Sequence, residues 1–218
     1  MRTDVARSFD EKLLVIEEFL PVHDFQILVN AVLNHKDSQR VHIAGHKRGE
    51  TIGYEELRRD VGPVAEFYTS EDFRTTISGW IGTNVVPTPI HDQSSCSVLI
   101  YGRKGDHIGW HYDYNFYNGR HFTALLSLVN EHRLRPGLSS ANLRVRKHGL
   151  VEIVPTPPNT LVLFEGAYIY HGVTALAADE RRIVLSMTFC TNPATTPLKD
   201  LTRRVKDIAY FGVHALFR

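Results

Sequence analysis

Residues 108–119 read IGWHYDYNFYNG and place His111 and Asp113 two positions apart at the end of a short apolar run. Alternate residues of a β-strand point to the same side, so an imidazole and a carboxylate at this spacing can share one metal ion. His35 and Asp37 have the same spacing, but they end a helical pattern, in which positions i and i+2 do not face each other. The sequence therefore predicts a metal site at the first pair and an ordinary solvent-exposed pair at the second.

A third ligand is expected from a later strand. His171 follows the apolar run Tyr168–Tyr170, far enough after Asp113 for several strands to intervene before the chain returns to the same end of a barrel. Two imidazoles and one carboxylate on one side of a metal are the ligand set of non-haem Fe(II) oxygenases, which leave the other positions open. We therefore predict His111, Asp113 and His171 as metal ligands.

The run RRIVLSMTF at 181–189 supplies a candidate anion-binding residue. An Arg on the strand after the third ligand can hold a carboxylate through two parallel hydrogen bonds. Strand alternation gives an apolar face of Ile183, Leu185, Met187 and Phe189, and a more polar face of Arg182, Val184, Ser186 and Thr188. This parity favours Arg182 as the residue that lines a barrel, while Arg181 stays possible. The alternative is a surface ion pair with the acidic residues 179–180.

The central part of the chain consists of short β-rich runs separated by Gly, Pro and Asn. The predicted strands are Ser95–Tyr101, Ile108–Tyr112, Phe122–Val129, Asn142–Arg146, Leu150–Val154, Thr160–Phe164, Ile169–Val173 and Ile183–Cys190. Eight strands at this spacing indicate a sandwich, barrel or jelly roll.

The flanking segments read as helical, apart from a short strand predicted at Leu13–Ile16. The apolar faces comprise Phe25, Leu28, Val29, Val32 and Leu33 in a first helix, a stretch Tyr54–Arg59, Phe73, Ile77, Trp80 and Ile81 within Ser70–Gly82, and Leu201, Val205, Ile208, Ala209 and Val213 within Leu198–Phe217. We predict one domain, 1–218, mostly β with flanking helices (α+β). Its β core covers about 90–192, and its helical support covers about 10–85 and 198–218.

The composition restricts the function further. The chain has 218 residues, a net charge of +1 and 43% hydrophobic residues, which is typical of a globular protein and argues against a nucleic-acid partner. Two cysteines cannot form a disulfide framework, and no apolar run is long enough for a membrane span or a signal peptide. A cytoplasmic protein is expected, with an oligomeric state that the sequence leaves open. The twelve histidines alone do not indicate a metal.

Over residues 13–192 the chain resembles the 2-oxoglutarate/Fe(II)-dependent dioxygenases, especially the prolyl-4-hydroxylase-like branch. The motifs that carry this resemblance are Phe19-Leu20-Pro21 before a helix, Tyr101-Gly102 leading to Trp110-His111-x-Asp113, Gly119-Arg120 before Thr123–Leu126 and Asn130, and Ile153-Val154-Pro155 through Leu163-Phe164 to His171-Gly172-Val173. The resemblance implies a double-stranded β-helix, a jelly-roll or cupin-like fold, with Fe(II) at one open end. It also implies 2-oxoglutarate bound by Arg182 or Arg181 near Tyr101, and ascorbate as a candidate reductant.

The implied activity couples oxidative decarboxylation of 2-oxoglutarate to hydroxylation of an aliphatic C–H bond with molecular oxygen. We expect a small-molecule substrate, such as an amino acid or natural-product intermediate, contacted by Trp110 and Tyr114. The alternatives are a peptidyl prolyl hydroxylase, a nucleobase demethylase, a zinc-dependent barrel enzyme and a non-catalytic metal-binding jelly roll. Thr188 stands where some demethylase relatives carry a second basic residue, and Ser140-Ala141-Asn142 replaces the family's common Gly-Gly. A carboxylate-binding role of Arg182 distinguishes an oxygenase from the metal-only alternatives.

Overall fold

The computed structural model describes Phe9 and residues 12–211. The helices are α1 Val22–Asn34, α2 Tyr54–Asp60, α3 Gly62–Thr69, α4 Glu71–Ile81 and α5 Pro197–Phe211. The strands are β1 Leu13–Ile16, β2 Gln39–Ile43, β3 Lys47–Ile52, β4 Val86–Pro87, β5 Cys96–Tyr101, β6 His107–His111, β7 His121–His132, β8 Leu143–Lys147, β9 Leu150–Val154, β10 Leu161–Glu165, β11 Tyr170–Val173 and β12 Glu180–Cys190. All eight predicted central strands are present, with ends that differ by a few residues.

The strands form one antiparallel sheet in the order β1-β10-β7-β12-β5-β3-β6-β11-β8-β9, with β2 beside β3 and β4 beside β12. The sheet curls on itself, because residues from distant positions in this order share one inner core. That core includes Tyr101 of β5, Val145 of β8, Phe164 of β10 and Val173 of β11. The result is the predicted jelly-roll arrangement of two facing layers.

A larger core lies between the other side of the sheet and the helices of the N-terminal half. Leu185, Met187 and Phe189 of β12 pack there together with Phe73 and Ile77 of α4. The predicted alternation of β12 is therefore observed, with its apolar face under the helices. Ser70 begins α4 by accepting a hydrogen bond from the Phe73 amide, and Gly82 ends the helix at a left-handed φ of 74°.

The helical interpretation of the first third was incomplete. The hairpin β2-β3 and helix α3 were not predicted, and β3 lies inside the sheet between β5 and β6. The sequence of β3, KRGETI, is too polar and too weakly alternating to indicate a strand. On α1, Leu33 is 41% exposed although it was assigned to the buried face, and Trp80 of α4 is only partly buried.

The tail helix forms, but its predicted apolar face does not pack. Leu201 and Val205 of α5 are each 59% exposed, whereas Arg203 and Asp207 are buried and form an ion pair of 2.7 Å. Val213 lies outside the described residues. None of the helices in the described part of the chain has the length and apolar character needed to cross a bilayer.

Candidate metal centre and its cavity

The three predicted metal ligands meet at one end of the curled sheet. His111 ends β6 and is directly paired with His171 of β11, and Asp113 follows two residues after β6. One donor atom from each lies within 4.8 Å of the other two. Asp113 Oδ1 is 3.5 Å from His111 Nε2 and 3.8 Å from His171 Nε2, so the three atoms surround a common point.

A β-bulge contributes to the direction of His111. His171 pairs with His111, but Val173, two residues later, pairs with Ile108, three residues earlier on β6. The extra residue on β6 lets both Ile108 and His111 face the same interior, as bulges commonly do next to functional sites.

Backbone carbonyls orient both imidazoles. Nδ1 of His111 lies 2.8 Å from the Gly109 carbonyl, and Nδ1 of His171 lies 3.0 Å from the Ile169 carbonyl. A carbonyl can only accept, so each Nδ1 must carry the proton. When the rings are neutral, their Nε2 atoms are unprotonated and face Asp113, which is the tautomer that a metal requires.

Asp113 is held through both its side chain and its main chain. Thr123 Oγ1 donates a hydrogen bond of 2.6 Å to Oδ2, and the Asp113 amide donates to the Gly166 carbonyl at 3.0 Å. Burial would raise the pKa of Asp113, but His171, His111 and Thr123 outweigh it and hold this pKa well below its ordinary value. Asp113 is consequently ionised at neutral pH, and Oδ1 stays available to a metal.

The residues present fit a divalent metal with open coordination positions. Two imidazole nitrogens and one carboxylate oxygen are the facial set used by non-haem iron proteins. No other group of three or more His, Cys, Asp or Glu side chains with this proximity occurs in the described chain. The second His-x-Asp pair does not contribute, because His35 Nε2 lies 2.8 Å from Glu56 Oε1 and joins α1 to α2.

Arg182 lies deep in the same interior and is 2% exposed. Its Nη2 donates to Thr156 Oγ1 at 3.2 Å, its guanidinium lies 5.8 Å from the centre of the Tyr101 ring, and its Nε has no partner in the described chain. Burial lowers the pKa of Arg182 and outweighs the opposite effect of nearby Tyr101. Burial also raises the pKa of the Tyr101 hydroxyl to about 12. None of the described carboxylates pairs with Arg182.

The two arginines of this run lie on opposite sides of β12. Arg181 points away from the cavity and donates to Glu131 Oε1 at 2.9 Å, so it forms a surface ion pair with Glu131 rather than with the acidic residues 179–180. Arg182 is the cross-strand neighbour of Tyr101 and lines the cavity together with it. A buried guanidinium without a counter-ion is costly, so this position fits the carboxylate of a bound ligand.

The metal residues and Arg182 line one cavity of about 380 Å³. Tyr112 and Tyr114 also line it, and Tyr114 is one of the two residues predicted to contact the substrate. Trp110, the other predicted contact residue, does not line the cavity. It stacks on Tyr170 at 5.3 Å and lies 4.7 Å from the Arg144 guanidinium. Strand alternation explains the difference, because Trp110 is adjacent to the inward-pointing His111.

Several cavity residues come from elements that the sequence did not single out. Lys47 of β3 is 3% exposed, and its ammonium donates to Thr51 Oγ1 at 3.0 Å. Burial, assisted by Lys206, lowers the pKa of Lys47 to about 7. From α5, Lys206 and Tyr210 close one side of the cavity. Lys47 and Thr51 lie on the same, inward side of β3, and this pattern could have indicated them as cavity residues only if β3 had been recognised as a strand.

Comparison with known proteins identifies the fold. No family model matches the chain, and no curated protein matches it. Similar solved structures include an oxidoreductase of the 2OG-Fe(II) oxygenase family from Burkholderia pseudomallei, 13% identical with a TM-score of 0.67 over 86% of this chain and 89% of that one. A prolyl-4-hydroxylase from Pseudomonas putida is 15% identical, with a TM-score of 0.60 over 84% and 94% of the two chains.

A third similar structure is the epimerase SnoN in complex with Fe³⁺, alpha ketoglutarate and nogalamycin RO. It is 13% identical, with a TM-score of 0.65 over 85% of this chain and 81% of that one. These likenesses confirm the predicted double-stranded β-helix and the structural resemblance to the 2-oxoglutarate/Fe(II) oxygenases. The coverage of 84–86% of this chain also shows that the similarity is not restricted to the metal-binding strands.

Proposed function

We propose that this chain is a non-haem Fe(II) oxygenase that uses 2-oxoglutarate as cosubstrate and hydroxylates an aliphatic C–H bond of a small molecule. The observation that carries the proposal is the coincidence of two features in one cavity. These are the His111, Asp113 and His171 cluster and the buried, counter-ion-free guanidinium of Arg182. A metal site alone gives Arg182 no function, whereas a dicarboxylate cosubstrate explains both.

The roles of the residues follow from their positions. His111, Asp113 and His171 would hold Fe(II), which supplies the capacity to activate molecular oxygen when bound. Arg182 would bind the far carboxylate of 2-oxoglutarate, with Thr156 and Tyr101 keeping the guanidinium in place. The overall reaction consumes oxygen, 2-oxoglutarate and a C–H bond, and yields succinate, carbon dioxide and an alcohol.

The cavity favours a small substrate over a macromolecular one. Its volume of about 380 Å³ lies within the range of small-ligand pockets. Thr188 lines it without adding a positive charge, and its hydroxyl is 2.6 Å from Thr88 Oγ1. This arrangement does not favour a nucleobase demethylase. Peptidyl prolyl hydroxylation is the second candidate, because Tyr112 and Tyr114 are exposed at the cavity and could contact an extended chain.

The decisive experiment is anaerobic titration of the protein with Fe(II) and 2-oxoglutarate. We expect the visible charge-transfer absorption of a chelated 2-oxoglutarate, and succinate formation after oxygen is admitted. His171→Ala should abolish both, because it removes one of three ligands, and His35→Ala should change neither, because His35 pairs with Glu56 instead. Absence of the absorption band and of succinate in the wild-type protein, or full turnover in His171→Ala, would contradict the proposal.

A further inference from the structure

A second buried cation in the cavity is not used by the proposed cosubstrate site. Lys47 lies on β3, which carries neither a metal ligand nor Arg182, and its only hydrogen-bond acceptor among the described residues is Thr51 Oγ1. An ammonium group has three protons to donate, and no carboxylate in the described chain pairs with this one. Lys47 therefore resembles Arg182 in being a buried cation that faces the cavity without an anion.

The neighbouring charged groups are already matched with each other. Lys206 Nζ lies 3.0 Å from Asp92 Oδ1 and 2.8 Å from Ser94 Oγ, and Tyr117 also donates to Asp92 at 2.8 Å. The Asp92 carboxylate is thus saturated by its own partners and does not neutralise Lys47. The closest aromatic surface is Tyr210 of α5, whose ring centre is 4.9 Å from Lys47 Nζ.

Counting the charges around the cavity also indicates that Lys47 lacks an anionic partner. Lys206 pairs with both Asp92 and Asp207, and Arg203 also pairs with Asp207, so these two cations balance these two carboxylates. Bound Fe(II) and Arg182 together carry three positive charges, which Asp113 and the two carboxylates of 2-oxoglutarate neutralise. The protonated form of Lys47 then leaves one positive charge over. A buried charge without a partner is destabilised, and burial accordingly lowers the pKa of Lys47 to about 7. An anion bound beside the ammonium group would stabilise its charged form.

We propose that Lys47 binds a carboxylate of the substrate, and hence that the substrate class is small carboxylic acids. This inference rests on the proposed oxygenase function, since that function assigns the other charges of the cavity. A monoanion fits better than a phosphate, because a dianion would leave one negative charge without a partner. His46 and Tyr210, which contact each other, lie next to Lys47 at the cavity wall and would adjoin the bound carboxylate.

The test uses the full chain loaded with Mn(II), which does not support turnover, and saturating 2-oxoglutarate. Sodium butyrate is compared with butyramide, its neutral isostere, at constant ionic strength, and the melting temperature is followed against concentration. We expect the wild-type protein to bind butyrate at least tenfold more tightly than butyramide. Lys47→Met should lose this preference. Arg48→Met is the control and should keep it, because Arg48 is the next residue of β3 and its side chain points outward.

The outcomes separate this inference from the oxygenase proposal. Equal binding of butyrate and butyramide by the wild-type protein would overturn the role of Lys47, as would an unchanged preference in Lys47→Met. A Lys47→Met variant that loses 2-oxoglutarate affinity as strongly as Arg182→Met would assign Lys47 to the cosubstrate instead. Failure of Mn(II) and 2-oxoglutarate to raise the melting temperature would contradict the oxygenase function itself. Lys47→Gln, a polar replacement, serves if the methionine variant does not fold.

Discussion

Replacing Arg182 by Met should separate the stability of this protein from its ability to bind 2-oxoglutarate. Arg182 is 2% exposed, donates one hydrogen bond to Thr156, and has an Nε without a partner in the described chain. Without a ligand, this buried charge is a cost to the fold. Methionine keeps much of the side-chain volume and removes the charge, so Arg182→Met should be neutral or stabilising for the ligand-free protein, by up to about 4 kcal/mol.

The effect on ligand binding should have the opposite sign. Truncating one partner of a buried, hydrogen-bonded charge pair costs about 2–5 kcal/mol, because the other charge stays buried and unpaired. At about 1.4 kcal/mol for each tenfold change, the dissociation constant of 2-oxoglutarate should rise by about 30-fold to several thousand-fold. Metal affinity should stay within a few-fold, since Arg182 is not among the three clustered ligands.

The assay combines urea unfolding of the metal-free protein with titration of 2-oxoglutarate into the Mn(II)-loaded protein. Arg181→Met is the matched control, because it removes the same side chain from the adjacent position of β12. Arg181 points outward to Glu131 at 2.9 Å, so its loss should leave the affinity for 2-oxoglutarate unchanged. Exposed ion pairs of this kind contribute at most about 1 kcal/mol to stability.

Two results would refute the reasoning about Arg182. If Arg182→Met binds 2-oxoglutarate with the wild-type affinity, the guanidinium does not hold the cosubstrate. If the metal-free variant loses more than about 3 kcal/mol of stability, Arg182 is a structural group whose contacts outweigh its desolvation, and its lack of a counter-ion does not indicate a ligand.

Two further predictions concern the residues that support the site. Gly166→Ala would place a Cβ 2.5 Å from the Asp113 Cβ, so a Mn(II) titration should show about 10- to 100-fold weaker metal binding. Gly79→Ala is the control, because a Cβ there meets nothing within 4 Å, and the Mn(II) affinity should stay unchanged. Asp106→Asn should cost about 1–3 kcal/mol in urea unfolding at pH 7, because the buried carboxylate accepts from Arg40 and two backbone amides. Burial opposes the ionisation of Asp106, but these hydrogen bonds outweigh it and lower its pKa in the folded state. The difference in unfolding free energy between wild type and Asp106→Asn should therefore persist above about pH 4. It should shrink as the pH falls through the folded-state pKa of Asp106.

The metal cluster shows what local rules can predict. His111 and Asp113 share a side because alternation along an extended chain has a period of two, whatever surrounds it. The same rule separates Arg181 from Arg182, and it directs Trp110, the residue before His111, away from the cavity. The sequence predicts only that His171 returns to the same end of the barrel as His111, and the structure adds that the two residues pair directly on neighbouring strands.

The helix α5 shows where local patterns fail. Its apolar positions Leu201 and Val205 follow a helical repeat, yet they are exposed, while Arg203 and Asp207 are buried. The reason is that α5 contacts polar partners rather than an apolar face. Arg203 donates to the His91 carbonyl at 2.8 Å, and the neighbouring ion pairs offset the cost of burial. No periodicity in the tail itself contains that information.

The strand-rich core, the His111 and Asp113 pair and the inward-facing Arg182 are readable from the sequence, because each depends on alternation within a short segment, and His171 follows from its distance along the chain. The position of Lys47 in the same cavity is visible only in the folded structure. Its strand is polar and carries no strand signal, and it becomes part of the sheet through pairing with β5 and β6, whose residues lie about 50–60 positions later in the chain. Burial depends on which neighbours arrive in space, and that is why a surface-like lysine became a buried cation beside a metal centre.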